Sequence, residues 1–224
     1  MTTQHYGDLV DTREMPAVHT FFRREFRLAG GLVRAVRDGD TARAQEIADH
    51  LEYLTRMLHH HHTAEDELAW PLLLARVPGE LAPLVRLMES QHERVDTLLA
   101  EVDELRPRWA ATAGAADRDR LADLLDATYV NLAEHLDAEE ERLLPIVART
   151  LTQAEWSALG EHARRHNRKS EELRTLGMIQ HDADPAGVTR MLSSAPAPVR
   201  WVLQRLARRA FRQYAVRIHG TANP

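Results

Sequence analysis

Two stretches of the chain place a glutamate four residues after a histidine: His61 with Glu65, and His135 with Glu139. In a helix that spacing stacks both side chains on one face. The surrounding strings match as well. Both read His-x-x-Ala-Glu-[Asp/Glu]-Glu-x-x-x-Pro, and they lie 74 residues apart. Two further histidines, His19 and His92, are 73 apart and sit on stripes otherwise filled by Leu, Val and Phe. Six polar groups on apolar stripes would converge in one core layer. Burying a lone carboxylate costs several kcal/mol or forces it to keep its proton. A dication offsets that cost. Four imidazoles with two carboxylates suit iron, manganese or zinc better than calcium or magnesium, which prefer shells made only of oxygen.

The elements that must position these residues read as helices throughout. Met15, His19, Phe22, Phe26, Ala29, Val33 and Val36 alternate at three and four over about 13–37. Asp38-Gly39-Asp40 ends that helix and caps the next. Over about 40–76 the seam is Leu51, Leu54, Leu58, His61, Glu65, Leu68 and Leu72. Over about 80–106 it is Leu81, Val85, Met88, His92, Val95, Leu99 and Val102, with Pro107 following. Over about 117–149 it is Leu121, Leu125, Thr128, Leu132, His135, Glu139 and Ile146, with Asp117 as the expected cap. Pro71 and Pro145 each follow the seam glutamate by six and should kink their helices just beyond the polar cluster. The expected architecture is an all-α four-helix bundle over 12–150, made of two similar helical hairpins, with a helical C-terminal extension over 151–224. In the extension, 152–176 reads as a polar helix with a Thr152–Glu155 capping box, 180–187 and 193–198 as loops, and 199–217 as a basic helix.

The pattern resembles the hemerythrin-like (HHE cation-binding) domain family. That family's signature has one His on the first helix, His-x-x-x-Glu on the second, one or two His on the third, and His-x-x-x-Glu or a similar pair on the fourth. The resemblance spans about 12–150 and rests on order, spacing and the strings HHHHTAEDELAWP and EHLDAEEERLLP. It implies an up-down bundle holding two non-haem iron ions, with His19 and His61 on one, His92 and His135 on the other, and Glu65 and Glu139 bridging. Manganese or zinc are the alternative metals. Oxygen-carrying members have a second His one turn after the third-helix His, where this chain has Asp96. Asp96 and His62 are therefore the candidates for a further ligand or for orienting one. Loss of that imidazole leaves an iron more open and shifts the expectation from reversible oxygen carriage to redox chemistry, peroxide turnover or sensing.

Phe22 and Leu132 lie one turn from ligand histidines and are the expected walls of a pocket for oxygen, peroxide or nitric oxide. Binding such an oxidant for sensing or detoxification is the leading functional expectation. A regulatory or adaptor protein with a structural metal, and a catalase-like or oxidase enzyme, are the alternatives. His59 and His60 read as a polar rim. Asp66 and Glu140 read as exposed or supporting groups. Trp70 and Tyr129 read as packing, and His162 and His166 as surface residues. The helix 199–217 carries six arginines and no acid, interleaved with Trp201, Leu206, Phe211 and Tyr214 and followed by Ile218. It is expected to dock on its own bundle or on a protein partner.

Composition bounds the rest. With 224 residues, 44% of them hydrophobic, the chain can bury a core of its own. A net charge of −5 argues against nucleic acid as a partner. The absence of cysteine excludes disulfides, thiolate nucleophiles, iron–sulfur clusters and zinc-thiolate sites, and makes the cysteine-associated iron-repair branch of the family less attractive. No apolar run is long enough to span a bilayer. The opening stretch lacks the features of a signal peptide, so the cytoplasm is the expected location.

Overall fold

The computed structural model describes residues 10–165 and 168–224, and among these it is helical with no strand. The bundle is formed by α1 (Glu14–Arg34), α2 (Thr41–Ala64), α4 (Pro78–Thr112) and α5 (Ala115–Ala138). α2 runs through a π-turn at Glu65–Ala69 into α3 (Trp70–Arg76), and α5 through a π-turn at Glu139–Leu143 into α6 (Leu144–Thr150). α1 packs on α2 and α5, and α4 packs on the same two, closing a four-helix ring. The Asp40 side chain caps α2 by accepting from Arg43 N–H at 3.0 Å, and Gly39 takes the turn before it at φ 77°.

The core is two apolar clusters with a polar layer between them. One holds Phe22, Leu58, Val95 and Leu132; the other holds Met15, Ala69, Met88 and Leu143. On each bundle helix a histidine falls between a residue of one cluster and a residue of the other. α1 and α4 enter from the second cluster and leave into the first, and α2 and α5 do the reverse. The helices therefore run alternately up and down.

Several sequence expectations change. α4 continues through Pro107 to Thr112, because Trp109, Ala110 and Ala113 are buried and their packing outweighs the lost backbone hydrogen bond. Asp117 does not cap α5. Gly114 stands at the N-cap, and Asp117 pairs with Arg108 at 2.7 Å. The polar helix expected over 152–176 is split into α7 (Gln153–Arg165) and α8 (Glu172–Asp182), joined through a 3₁₀ turn at Lys169–Glu171. The loop expected at 180–187 holds the end of α8 and the start of α9 (Pro185–Met191), which Asp184 caps through Ala186 N–H at 2.8 Å. The Thr152–Glu155 capping box forms as expected, with reciprocal bonds of 2.8 and 3.3 Å.

The extension packs onto the bundle. α7 lies on α2, and α8 and α9 lie on α1. α10 (Ala197–His219) lies chiefly on α8 and reaches α2. Its arginine-rich sequence divides by face. Phe211, Tyr214 and Ile218 enter the bundle core, while Trp201 and Leu206 are exposed. From α2, Arg43 donates to the carbonyls of Arg217 and Ile218 at the end of α10. No helix among the described residues is long and apolar enough to cross a membrane.

α8 and α10 approach closely at Gly177. A Cβ there would lie 2.7 Å from Phe211 Cβ and nearer still to the Ala207 carbonyl. Gly177→Ala should destabilise the protein by about 1–3 kcal/mol through overpacking, read as a lower Tm in thermal unfolding.

Candidate metal centre

All six residues expected at the centre are brought into the polar layer and buried: His19 from α1, His61 and Glu65 at the end of α2, His92 from α4, and His135 and Glu139 at the end of α5. The histidines meet in pairs. His19 Nε2 and His61 Nε2 are 3.3 Å apart, and His92 Nε2 and His135 Nε2 are 3.1 Å apart. Glu65 spans the two pairs, with Oε1 3.3 Å from His61 Nε2 and Oε2 3.6 Å from His92 Nε2. Glu139 Oε2 lies 3.3 Å from His19 Nε2 and 3.9 Å from His135 Nε2.

These spacings fit metal ligation. Donors about 2.0–2.2 Å from a shared ion stand about 3–3.5 Å from one another. Both oxygens of Glu65 and Oε2 of Glu139 are buried with no hydrogen-bond partner. Buried carboxylate oxygens are seldom left so, because each forfeits its hydration. Burial, then the neighbouring Glu139 charge, pushes Glu65 well above the usual carboxylate range, and burial pushes Glu139 up as well. Burial, reinforced by the neighbouring imidazoles, pushes His61, His62 and His135 well below the ordinary imidazole value. The layer therefore offers neutral imidazoles at His61, His62 and His135 and two carboxylates that a cation would stabilise in their ionised form.

The two further candidates separate. His62 is buried beside His92, their rings stacked at 4.0 Å, and both its nitrogens lack a hydrogen-bond partner. It joins His92 and His135 in one group of potential ligands, while His19, His61, Glu65 and Glu139 form another. Asp96 is exposed and belongs to neither. The residue four after His92 turns away from the layer, and a histidine on α2 stands beside His92 instead.

Asp66 and Glu140 do more than solvate a face. Glu140 Oε1 takes the Nδ1 side of His19 at 2.8 Å, and Asp66 Oδ1 takes that of His92 at 2.9 Å. Each fixes an imidazole with its Nε2 facing the layer. Burial raises Glu140, but its bonds with His19 and Arg23 win and hold it below the usual carboxylate value. Arg23, which sequence reading missed, bridges Glu140 and Asp137 at 2.6 Å each. Its position four after His19 was the available signal. Trp70 is buried and donates to Asp66 at 2.7 Å. His59 is exposed and His60 half-buried. His162, expected at the surface, is half-buried, 3.6 Å from Glu67, and His166 falls outside the described residues.

The π-turns explain how both glutamates are placed. Pro71 and Pro145 have no N–H to give the carbonyl four residues back. The chain widens instead: Trp70 N–H bonds Glu65 O and Leu144 N–H bonds Glu139 O, each five residues back. Each extra residue shifts the seam beyond it by one. Ala69, Trp70 and Leu73 are buried where Leu68 and Leu72 were expected, and Leu143, Leu144 and Val147 where Ile146 was expected. Such bulges recur at functional sites.

An opening beside the layer has a volume of about 400 Å³ and is lined in part by His61 and Glu65. Its walls include Val18, Phe22 and Met57 from the bundle and Leu159, Ala163 and Ile179 from the extension. Phe22 is thus a wall, its ring 5.2 Å from that of His61. Leu132 is not; it is fully buried in the bundle core.

Comparison with curated proteins and with solved structures gave no match. The profile of the hemerythrin HHE cation binding domain matches residues 10–147, more than half of the chain and all six residues of the polar layer. The chain belongs to the hemerythrin HHE cation-binding family.

Proposed function

We propose that this protein holds two non-haem iron ions and binds oxygen or a related small oxidant, peroxide or nitric oxide, for sensing or detoxification. The observation that carries this reading is an asymmetry. The group nearer the cavity has two imidazoles, His19 and His61, whereas the other has three, His62, His92 and His135. The side with fewer imidazoles is the one that opens to the cavity through His61 and Glu65. When bound, a pair of ferrous ions supplies electrons to a small oxidant. Glu65 and Glu139 would bridge the ions, His19 and His92 are oriented by Glu140 and Asp66, and Phe22 and Ile179 keep the approach apolar.

A second reading, an oxidase acting on an organic molecule, draws on the cavity's volume of about 400 Å³, which exceeds what a diatomic ligand fills. Oxygen consumption that rises on adding a small apolar organic compound favours it. A site blind to small ligands favours a structural metal in a regulatory protein.

Protein made in iron-replete medium should carry about two irons per chain, with a near-ultraviolet charge-transfer band that shifts on adding azide. Zinc or manganese in place of iron, or a band unmoved by azide and peroxide, would overturn the reading. Ala163→Phe should narrow the cavity and slow azide binding while the metal content holds, measured by stopped-flow absorbance.

Glu65→Ala and Glu139→Ala should each lose metal and lower Tm together, because metal binding is linked to folding. Full metal retention in both would sink the ligand assignment. Metal competes with the protons held on Glu65 and Glu139. Affinity should therefore fall as pH drops through their raised range, and loading should release protons that Glu65→Gln releases in smaller number, read by a pH indicator in weak buffer.

A further inference from the structure

A second group of metal-binding side chains lies outside the polar layer. Glu25 comes from α1, His50 from α2 and His219 from the last turn of α10. His50 precedes His61 by eleven residues, roughly 16 Å along α2, so the group is separate from the centre described above. The side chains of Glu25 and His50 are fully buried, and that of His219 is 3% exposed. Glu25 Oε2 lies 3.3 Å from His50 Nε2 and 3.3 Å from His219 Nε2. None of these three atoms has a hydrogen-bond partner.

We propose that Glu25, His50 and His219 form a further binding site for a divalent transition-metal ion of the zinc type, clasping α10 to the bundle. The distances carry the argument. A direct bond between imidazolium and carboxylate closes to about 2.7–2.9 Å. A tetrahedral ion with ligands at about 2.0–2.2 Å instead holds them about 3.3–3.5 Å apart. Both contacts to Glu25 Oε2 match the second case.

The surroundings are built for it. Glu25 Oε1 is taken by Arg24 at 2.7 Å, which leaves Oε2 for the site. The charge of Arg24 is matched in turn by Asp182 at 2.7 Å, so Glu25 keeps its negative charge for a cation. His50 Nδ1 meets the Tyr214 hydroxyl at 2.9 Å, an arrangement that fixes the ring of a metal-bound histidine. Burial pushes His50 below the ordinary imidazole value, which favours the neutral form a metal needs. The ring planes of His50 and His219 are 84° apart, so the two approach from different sides. Two imidazoles and one carboxylate, with a fourth position for water, is a donor set zinc accepts.

The test uses the full chain and zinc alone. Crystals of the unaltered protein grown with zinc should show an anomalous peak between Glu25, His50 and His219. In solution, His219→Ala should bind one zinc fewer per chain than the unaltered protein. Tyr214→Phe should keep the site but weaken it by about 10–100-fold, as removal of a supporting hydrogen bond does. Crystals with zinc at Glu65 and Glu139 but none at Glu25, or equal zinc content in the unaltered and His219→Ala proteins, would overturn the proposal. Because the peak at each site is read separately, failure of the clasp and failure of the main centre are distinguishable.

Discussion

Glu65 and Glu139 lie in the middle of a helical bundle at 1% exposure, and three of their four oxygens have no hydrogen-bond partner. Most of the bundle's organisation follows from this. Apolar packing alone would favour Leu or Met at these positions, because a carboxylate stripped of water destabilises its surroundings by several kcal/mol. A cation repays the desolvation only if other ligands are already in place. The bundle supplies five imidazoles around the pair and separates them from solvent with an apolar cluster on either side. Asp66 and Glu140 sit at the border, where they remain partly hydrated and still orient His92 and His19.

The ring of four helices and its six polar residues could be read from sequence because both depend on local periodicity. Spacings of three and four define a face, and a duplicated string marks equivalent positions in two hairpins. Legibility stops where the backbone leaves that period. Leu68, Leu72 and Ile146 fit the periodic seam, yet a single extra residue at each π-turn moved the buried face to Trp70, Leu73 and Val147. The signal was present in Pro71 and Pro145. A proline deprives the preceding turn of a hydrogen bond, and a wider turn answers that deficit with less disruption than a break. Pro107 shows the opposite balance, since α4 continues past it, with Trp109 buried beyond, to Thr112.

His62 and Asp96 were indistinguishable by spacing. One is three residues before Glu65 and the other four after His92, and both offsets suit a shared face. What separates them is helix rotation, set by how α2 and α4 pack on their neighbours. Leu132 failed as a cavity wall for the same reason: it points into the core, while Phe22, on the helix that α8 and α9 cover, borders the opening. The cavity could not be anticipated at all from the bundle, because half its wall is contributed by α7, α8 and α9.

α1 is where these demands meet. One stretch of it carries His19 to the polar layer, Phe22 to the cavity, Arg24 to the Met178 carbonyl and Asp182 of α8, and Glu25 toward His50 and His219. Successive residues of a helix point about 100° apart, so a segment of seven residues can face the bundle interior, the opening and the extension in turn. The extension is therefore coupled to the centre through a rigid element. A displacement of α8 or α10 large enough to widen the cavity would have to draw Arg24 from its buried carbonyl partner or part His219 from Glu25. Arg24 is desolvated there and resists being left unpaired. Residues of α7, α8 and α9 thereby shape the approach to His61.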